Sequence, residues 1–191
     1  MPLVLRELCF LDVETTGSVF GYHEIIEIGA IRTSPEASEL RGTWRCRIKP
    51  QHPERITEHA RDLNGFNLEL WAPARTSDTA LWLEFSDFAQ GCVPVCHNPS
   101  FDRAFITLEA SAAGVLDLGL DYHWIGTESL AWPLYRQGLL PKLSLRAICE
   151  YWNVGTEPMP HNALDGARAC LRAYRALMSD FSSEVRSAIA V

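Results

Sequence analysis

Apolar side chains crowd the run Leu8-Cys9-Phe10-Leu11, and this density predicts a buried strand over residues 8–13. After a Gly-containing connection, residues 25–31 read as a second strand, rich in isoleucine. A third shows alternation, with Trp44, Cys46 and Ile48 on one face and Arg45, Arg47 and Lys49 on the other. Short connections between three successive strands predict an antiparallel meander. The Arg45/Arg47/Lys49 row is expected to be a solvated outer face. Residues 50–76 contain Pro50, Pro53 and Pro73 and predict loops with one short helix. A longer helix follows, from an N-cap at Ser77 to a stop at Gly91, with Leu81, Trp82, Phe85, Phe88 and Ala89 turned inward.

The second half alternates. Cys92–Cys96 predicts a short strand, placed at a sheet margin by Pro94. Pro99 or Ser100 opens a helix that Gly114 closes. Leu116–Trp124 reads as another strand, and Thr127 caps a helix to about Gln137, interrupted at Pro133. Ser144 caps the next helix, which carries Leu145, Ile148 and Trp152. The last helix presents Leu171, Tyr174 and Leu177, and beyond Ser179 the chain reads as a polar tail. Three strands followed by helix–strand alternation predict an α/β fold, a mixed sheet with helices packed on its faces. Residues 1–180 are expected to form one domain, with 181–191 as a C-terminal tail.

Composition narrows the class. At 191 residues, with 47% apolar and 21% charged side chains, the chain can bury a full core and reads as a soluble globular protein. No apolar run approaches the ~20 residues of a membrane span, and Arg6 and Glu7 break the first apolar stretch too early for a signal peptide. The net charge of −7, from 17 basic and 24 acidic residues, excludes holding duplex DNA by bulk charge. It leaves open an enzyme whose acids surround metal ions. The six cysteines are scattered through apolar segments and are expected to be free, buried thiols in a reducing, cytoplasmic setting. Cys92, Cys96 and His97 lack the second pair that a zinc site requires.

Three short motifs carry the candidate chemistry: Asp12-Val13-Glu14-Thr15-Thr16-Gly17, His97-Asn98-Pro99-Ser100-Phe101-Asp102 and His161-Asn162-Ala163-Leu164-Asp165. On a strand, Asp12 and Glu14 point the same way. Two carboxylates pressed together resist joint ionisation unless a cation lies between them. Hard oxygen ligands of this kind suit Mg²⁺ or Mn²⁺. Gly17 allows a sharp turn or the close approach of a ligand to the backbone. Asp102 falls in the first turn of a helix, where the dipole favours an anion. Each acid lies where a sheet meets a helix or loop, so all can converge on one edge and hold two divalent ions, with a nearby histidine able to take a proton from water.

In these motifs, and in the segment from Ile56-Thr57 to Asn64-Gly65-Phe66, the chain resembles the DEDDh (DnaQ-like) family of 3′→5′ exonucleases from about Leu8 to Leu177. The resemblance implies an RNase H-like fold, a five-stranded mixed sheet with helices on both faces. It implies hydrolysis of single-stranded DNA or RNA from the 3′ end, releasing nucleoside 5′-monophosphates, with two Mg²⁺ or Mn²⁺ ions. Carried over residue by residue, Asp12, Glu14 and Asp102 are metal-binding acids and His161 is the general base. Thr15, Thr16 and Gly17 line the pocket for the terminal nucleotide, and Asn98 and Phe101 brace the second motif beside the substrate. No membrane partner is implied, and pairing with a second copy or with a polymerase is left open.

One position departs from the pattern. The family's third motif is His, four residues, then Asp, which here places Gly166 at the acid's position and Asp165 one residue early. One residue on a helix is a rotation of ~100°. Asp165 is therefore carried as a metal-binding candidate with a competing explanation, a capping box with Asn162. Three readings stay open: local adjustment brings Asp165 into the site; the chain is a weakened or inactive relative that binds 3′ ends; or Gly166 is an introduced change. A phosphodiesterase for dinucleotides on the same scaffold is a further alternative. Among the remaining residues, His97 is expected to pack near the site, His123 to be structural, and Lys142 to be a surface lysine. His23, His52 and His59 carry no signal.

Overall fold

A computed structural model describes residues 5–189, with side chains through Asp180. Five strands form one sheet: β1 (Leu8–Thr15), β2 (Ile25–Thr33), β3 (Leu40–Arg47), β4 (Val93–Cys96) and β5 (Ile125–Gly126). Their spatial order is β3-β2-β1-β4-β5. β1 and β2, and β2 and β3, pair antiparallel, as the meander requires, whereas β4 lies parallel to both β1 and β5. β1 is central and covered on both faces, which is why its apolar residues run together.

The two faces sort by alternation. Cys9, Leu11 and Val13 join Leu81, Trp82 and Phe85 of α3 (Thr79–Ala89) and Phe105 and Ile106 of α4 (Pro99–Ala112) in the largest core. Leu8 and Phe10 face the other way and pack with Ile31, Val95, Ala167, Cys170, Leu171 and Tyr174 under α7 (Ala163–Ile189). Asp12 and Glu14 continue this second row. Because β1 and β4 run parallel, their C-terminal ends share one sheet edge, where ligand-binding residues of open α/β sheets collect.

Several elements differ from expectation. Residues 50–76 hold two short helices, α1 (Glu58–Asn64) and α2 (Leu68–Trp71), after a turn of 3₁₀-helix at Pro53–Arg55. The cap of α3 is Asp78, whose carboxylate accepts from Leu81 N–H at 2.9 Å. Ser77 is diverted to Trp82 Nε1 and Glu109. Residues 116–124 form no strand, and β5 shrinks to two residues. Asp117 accepts from Gly119 N–H, Asp121 accepts from His123 N–H, and Gly119 has φ +66°, so side chains turn this backbone away from pairing. β4 does not lie at the sheet margin expected from Pro94: it sits between β1 and β5, and Pro94 is tolerated because β5 pairs only with Val95 and Cys96 and leaves that side of Pro94 unpaired.

α5 (Thr127–Arg136) continues through Pro133. Its cap is Gly126, and Thr127 is the first helical residue. Ser144 caps α6 (Leu145–Tyr151) as expected. α7 runs on to Ile189 where a polar tail was expected, and residues 190–191 of that tail lie outside the described residues. All six cysteines are free and buried. Among the described residues no helix is long and apolar enough to cross a membrane.

Candidate active site

Asp12 and Glu14 leave the end of β1 on the α7 side, opposite Gly29 and Glu27 of β2. Asp102 enters the same edge from the first turn of α4, whose Asn98 cap accepts from Ser100 N–H. Asp102 is buried and accepts hydrogen bonds from the Cys96 thiol and the Val13 backbone. Burial pushes the Asp102 carboxyl up to about 7. Burial, then the charges of Glu157, Glu27 and Asp102, push Glu14 up to about 8. Asp12 is raised strongly by burial and by Asp102 and Glu14. Three acids that hinder one another's ionisation are a site made for positive charge.

α7 reaches this edge because of two residues of β2. A Cβ on Gly29 would overlap Ala163 C and O and Leu164 N, all at under 3.0 Å, so only glycine lets the helix backbone rest on the strand. Glu27, almost fully buried, accepts from Ala163 N–H at 3.1 Å at the helix start, where the dipole favours a carboxylate. Arg45 holds Glu27 through two bonds of 2.8 and 3.0 Å, and Arg47 adds a third at 3.2 Å. Arg45 and Arg47 lie on the solvated outer face expected of their row, and from there they neutralise the carboxylate that anchors α7.

His161 precedes this helix. Its N–H donates to Leu63 O at 2.8 Å, fixing the backbone to the end of α1. Its Nδ1 lies 3.4 Å from Glu157 Oε2. Burial and Arg146 lower its pKa, so the ring is held neutral. Glu14, Glu157 and His161 each offer a ligand atom, and these atoms all lie within 4.8 Å of one another. Glu157 Oε1 and His161 Nε2 are buried and have no hydrogen-bond partner. Orphaned oxygen and nitrogen lone pairs beside buried acids fit a divalent cation.

The structure thus brings Asp12, Glu14, Asp102 and His161 to one edge. Asp165 is engaged elsewhere. It accepts from Asn162 Nδ2 at 2.7 Å and Arg168 Nη1 at 2.7 Å, while its N–H donates to Asn162 Oδ1 at 3.1 Å. This is the capping-box alternative, and Asp165 is outside the Glu14–Glu157–His161 group.

Thr15 and Thr16 are buried. The Thr15 hydroxyl donates to Gly17 O at 2.7 Å, and the Thr16 hydroxyl accepts from Glu24 N–H at 2.9 Å. Gly17 is required by the His23 ring, whose Nε2 would sit 2.6 Å from an added Cβ. His23 therefore does carry a packing role. Phe101 stacks with Phe20 and Phe105. His97 binds the Thr127 hydroxyl at 3.0 Å, and burial lowers its pKa to about 4. His123 pairs with Asp121.

Sequence reasoning missed Glu157, Glu27 and Arg146. Glu157 lies in the loop between α6 and α7, in Gly155-Thr156-Glu157-Pro158, where no periodicity marks it. The one available signal was the acid missing at 166. Lys142 is exposed, as expected, and lines a hollow of ≈310 Å³ with Leu63, Arg146, Glu157 and His161.

These shifts predict a pH dependence. The acids' unfolded pKa values lie near 4, below the values of about 7 for Asp102 and Glu157 and about 8 for Glu14. A raised carboxyl favours the fold only while protonated, so metal-free stability falls as pH rises through the folded values. Between pH ~6.5 and ~8 the lowered histidines oppose this by at most about 0.4 kcal/mol each, since their unfolded pKa lies near 6.5 and most of their titration falls below the window. The metal-free stability is expected to fall across this window by on the order of a few kcal/mol, read as a lower Tm. Mn²⁺ is expected to restore it. A flat or rising metal-free Tm contradicts the charge crowding described above.

Comparison with known proteins places this geometry. The sequence model of the RNase_T family, described as exonuclease, matches residues 9–174. The PolC-type DNA polymerase III of Thermotoga maritima is 30% identical over 167 residues, 86% of this chain and 11% of that protein. That of Caldanaerobacter subterraneus is 30% identical over 163 residues, 85% and 11%. This chain thus spans about a ninth of the length of these curated relatives. Among solved structures, E. coli exonuclease I in complex with a dT13 oligonucleotide superposes with TM-score 0.76 at 14% identity, covering 90% of this chain and 40% of that one. The nuclease domain of 3′hExo, a DEDDh member bound to rAMP, superposes with TM-score 0.70 at 17% identity, covering 93% and 94%. Both have the RNase H-like fold seen here. With a family match across most of its length, this chain belongs to the RNase_T exonuclease family.

Proposed function

We propose that the chain is a divalent-metal-dependent 3′→5′ exonuclease that shortens single-stranded DNA or RNA and releases nucleoside 5′-monophosphates. The convergence of Asp12, Glu14 and Asp102 beside His161 carries this reading. Asp12, Glu14 and Asp102 would hold Mg²⁺ or Mn²⁺. When bound, such ions supply a nucleophilic hydroxide at neutral pH and offset charge on the phosphate. His161, neutral at pH 7, accepts the proton of the attacking water. The water oxygen joins phosphorus, the bond to the preceding O3′ breaks, and the shortened strand keeps a 3′-hydroxyl.

Lys142 and Arg146, beside His161 in the same hollow, suit a polyanionic substrate. Thr15, Thr16 and Gly17 act through the shape they give the floor beside Glu14, since both hydroxyls are already committed. Asn98 and Phe101 brace α4. The oligonucleotide-bound and rAMP-bound relatives support a single-stranded substrate and a mononucleotide product. The PolC relatives make association with a polymerase part of this reading. The bare position 166 favours a second reading, a weakened relative that binds 3′ ends.

A 5′-labelled oligonucleotide, DNA or RNA, separates them. Stepwise loss of mononucleotides with Mn²⁺, abolished by a chelator, is the expected result. Binding of both oligonucleotides without any product establishes the second reading instead.

A further inference from the structure

We propose that Glu157 supplies to the metal site the carboxylate that position 166 lacks. The inference rests on the metal-dependent reading above and assigns a further ligand to it. Gly166 faces Asp12 so closely that an added Cβ would lie 2.6 Å from Asp12 Cγ. The Asp12 carboxylate therefore occupies the space that a side chain at 166 would need. Asp165 cannot substitute for it, because both of its oxygens are held by Asn162 and Arg168.

Glu157 approaches from the loop instead. It shares a 4.8 Å cluster with Glu14 and His161. Its Oε1 and His161 Nε2 are both buried without partners. Burying such an oxygen costs free energy unless something positive meets it, and Arg146 and Lys142 form no ion pair with Glu157 among the described residues. The loop is tied on both sides of Glu157. Arg172 donates to Gly155 O at 3.0 and 3.3 Å, and His161 N–H donates to Leu63 O at 2.8 Å. A carboxylate on a loop tethered to α7 by Arg172, four residues before the histidine, can face the ions across from Glu14 without a side chain at position 166.

Mn²⁺ binding by calorimetry tests this without relying on turnover. The full chain is compared with Glu157→Gln and Asp12→Asn. Loss of a group that only hydrogen-bonds to a metal ligand already costs about 10–100-fold in metal affinity, so Glu157→Gln is expected to weaken Mn²⁺ binding by at least about 10-fold with an unchanged circular dichroism spectrum. Glu157→Gln that binds Mn²⁺ within about two-fold of the parent, while Asp12→Asn does not bind, removes Glu157 from the site and leaves the nuclease reading intact. A parent chain that binds no Mn²⁺ overturns both.

Discussion

Asp12→Asn is expected to lower Mn²⁺-dependent cleavage by at least about 10²-fold while raising the Tm of the metal-free protein. The lower bound follows from magnitudes: outer-shell partners of metal ligands already cost 10–100-fold when removed, and Asp12 is placed to touch the ion. The stability gain follows from burial. Asp12 is raised strongly by loss of solvent and by Asp102 and Glu14, so its charge opposes the metal-free fold at neutral pH. Asparagine keeps the shape and removes the charge. Opposite signs for activity and stability distinguish a functional residue from a packing residue, because a packing defect lowers both. The measurement is paired, initial cleavage rates with Mn²⁺ and thermal unfolding in chelator at pH 8. Cleavage within a few-fold of the parent, or a lower Tm, would remove Asp12 from the role assigned to it.

Gly29→Ala is expected to be the most damaging single methyl in the molecule. The added Cβ would overlap three backbone atoms of residues 163 and 164, and backbone on a helix start cannot swing aside as a side-chain tip can. Overpacking costs about 1–3 kcal/mol, occasionally more, and this site belongs at the upper end. For a chain of this size that lowers the Tm by roughly 6–12 °C. Pushing α7 off the sheet also stretches the 3.1 Å bond from Ala163 N–H to Glu27 and displaces His161, two residues upstream. Gly42→Ala provides the control, since its Cβ would meet only the Phe88 ring, at 3.2 Å. Equal Tm values for the two variants would show that α7 is not seated on Gly29.

The motifs and the layer order were readable from the chain because they rest on short-range regularities. Period-two alternation placed Asp12 and Glu14 on one face, and Pro99 and the Asn98 cap placed Asp102 in a first helical turn. The segment 116–124 misled because its strand-like composition says nothing of Asp117 and Asp121, whose side chains bond the backbone two residues on. Arg45 and Arg47 lie on the exposed face that alternation assigned to them. Alternation assigns a face but cannot say that a buried glutamate on the neighbouring strand waits there.

Local pattern thus dictated the α/β order, the three acids, the histidine and the gap at Gly166. What filled that gap was settled by long-range packing. Glu157 meets Glu14 across 143 residues of chain, in a loop with no periodicity, and only the docking of α7 on Gly29 and of His161 on Leu63 brings them together. Contacts between distant segments depend on how whole elements stack, and a linear pattern records each element's own faces without recording which faces meet.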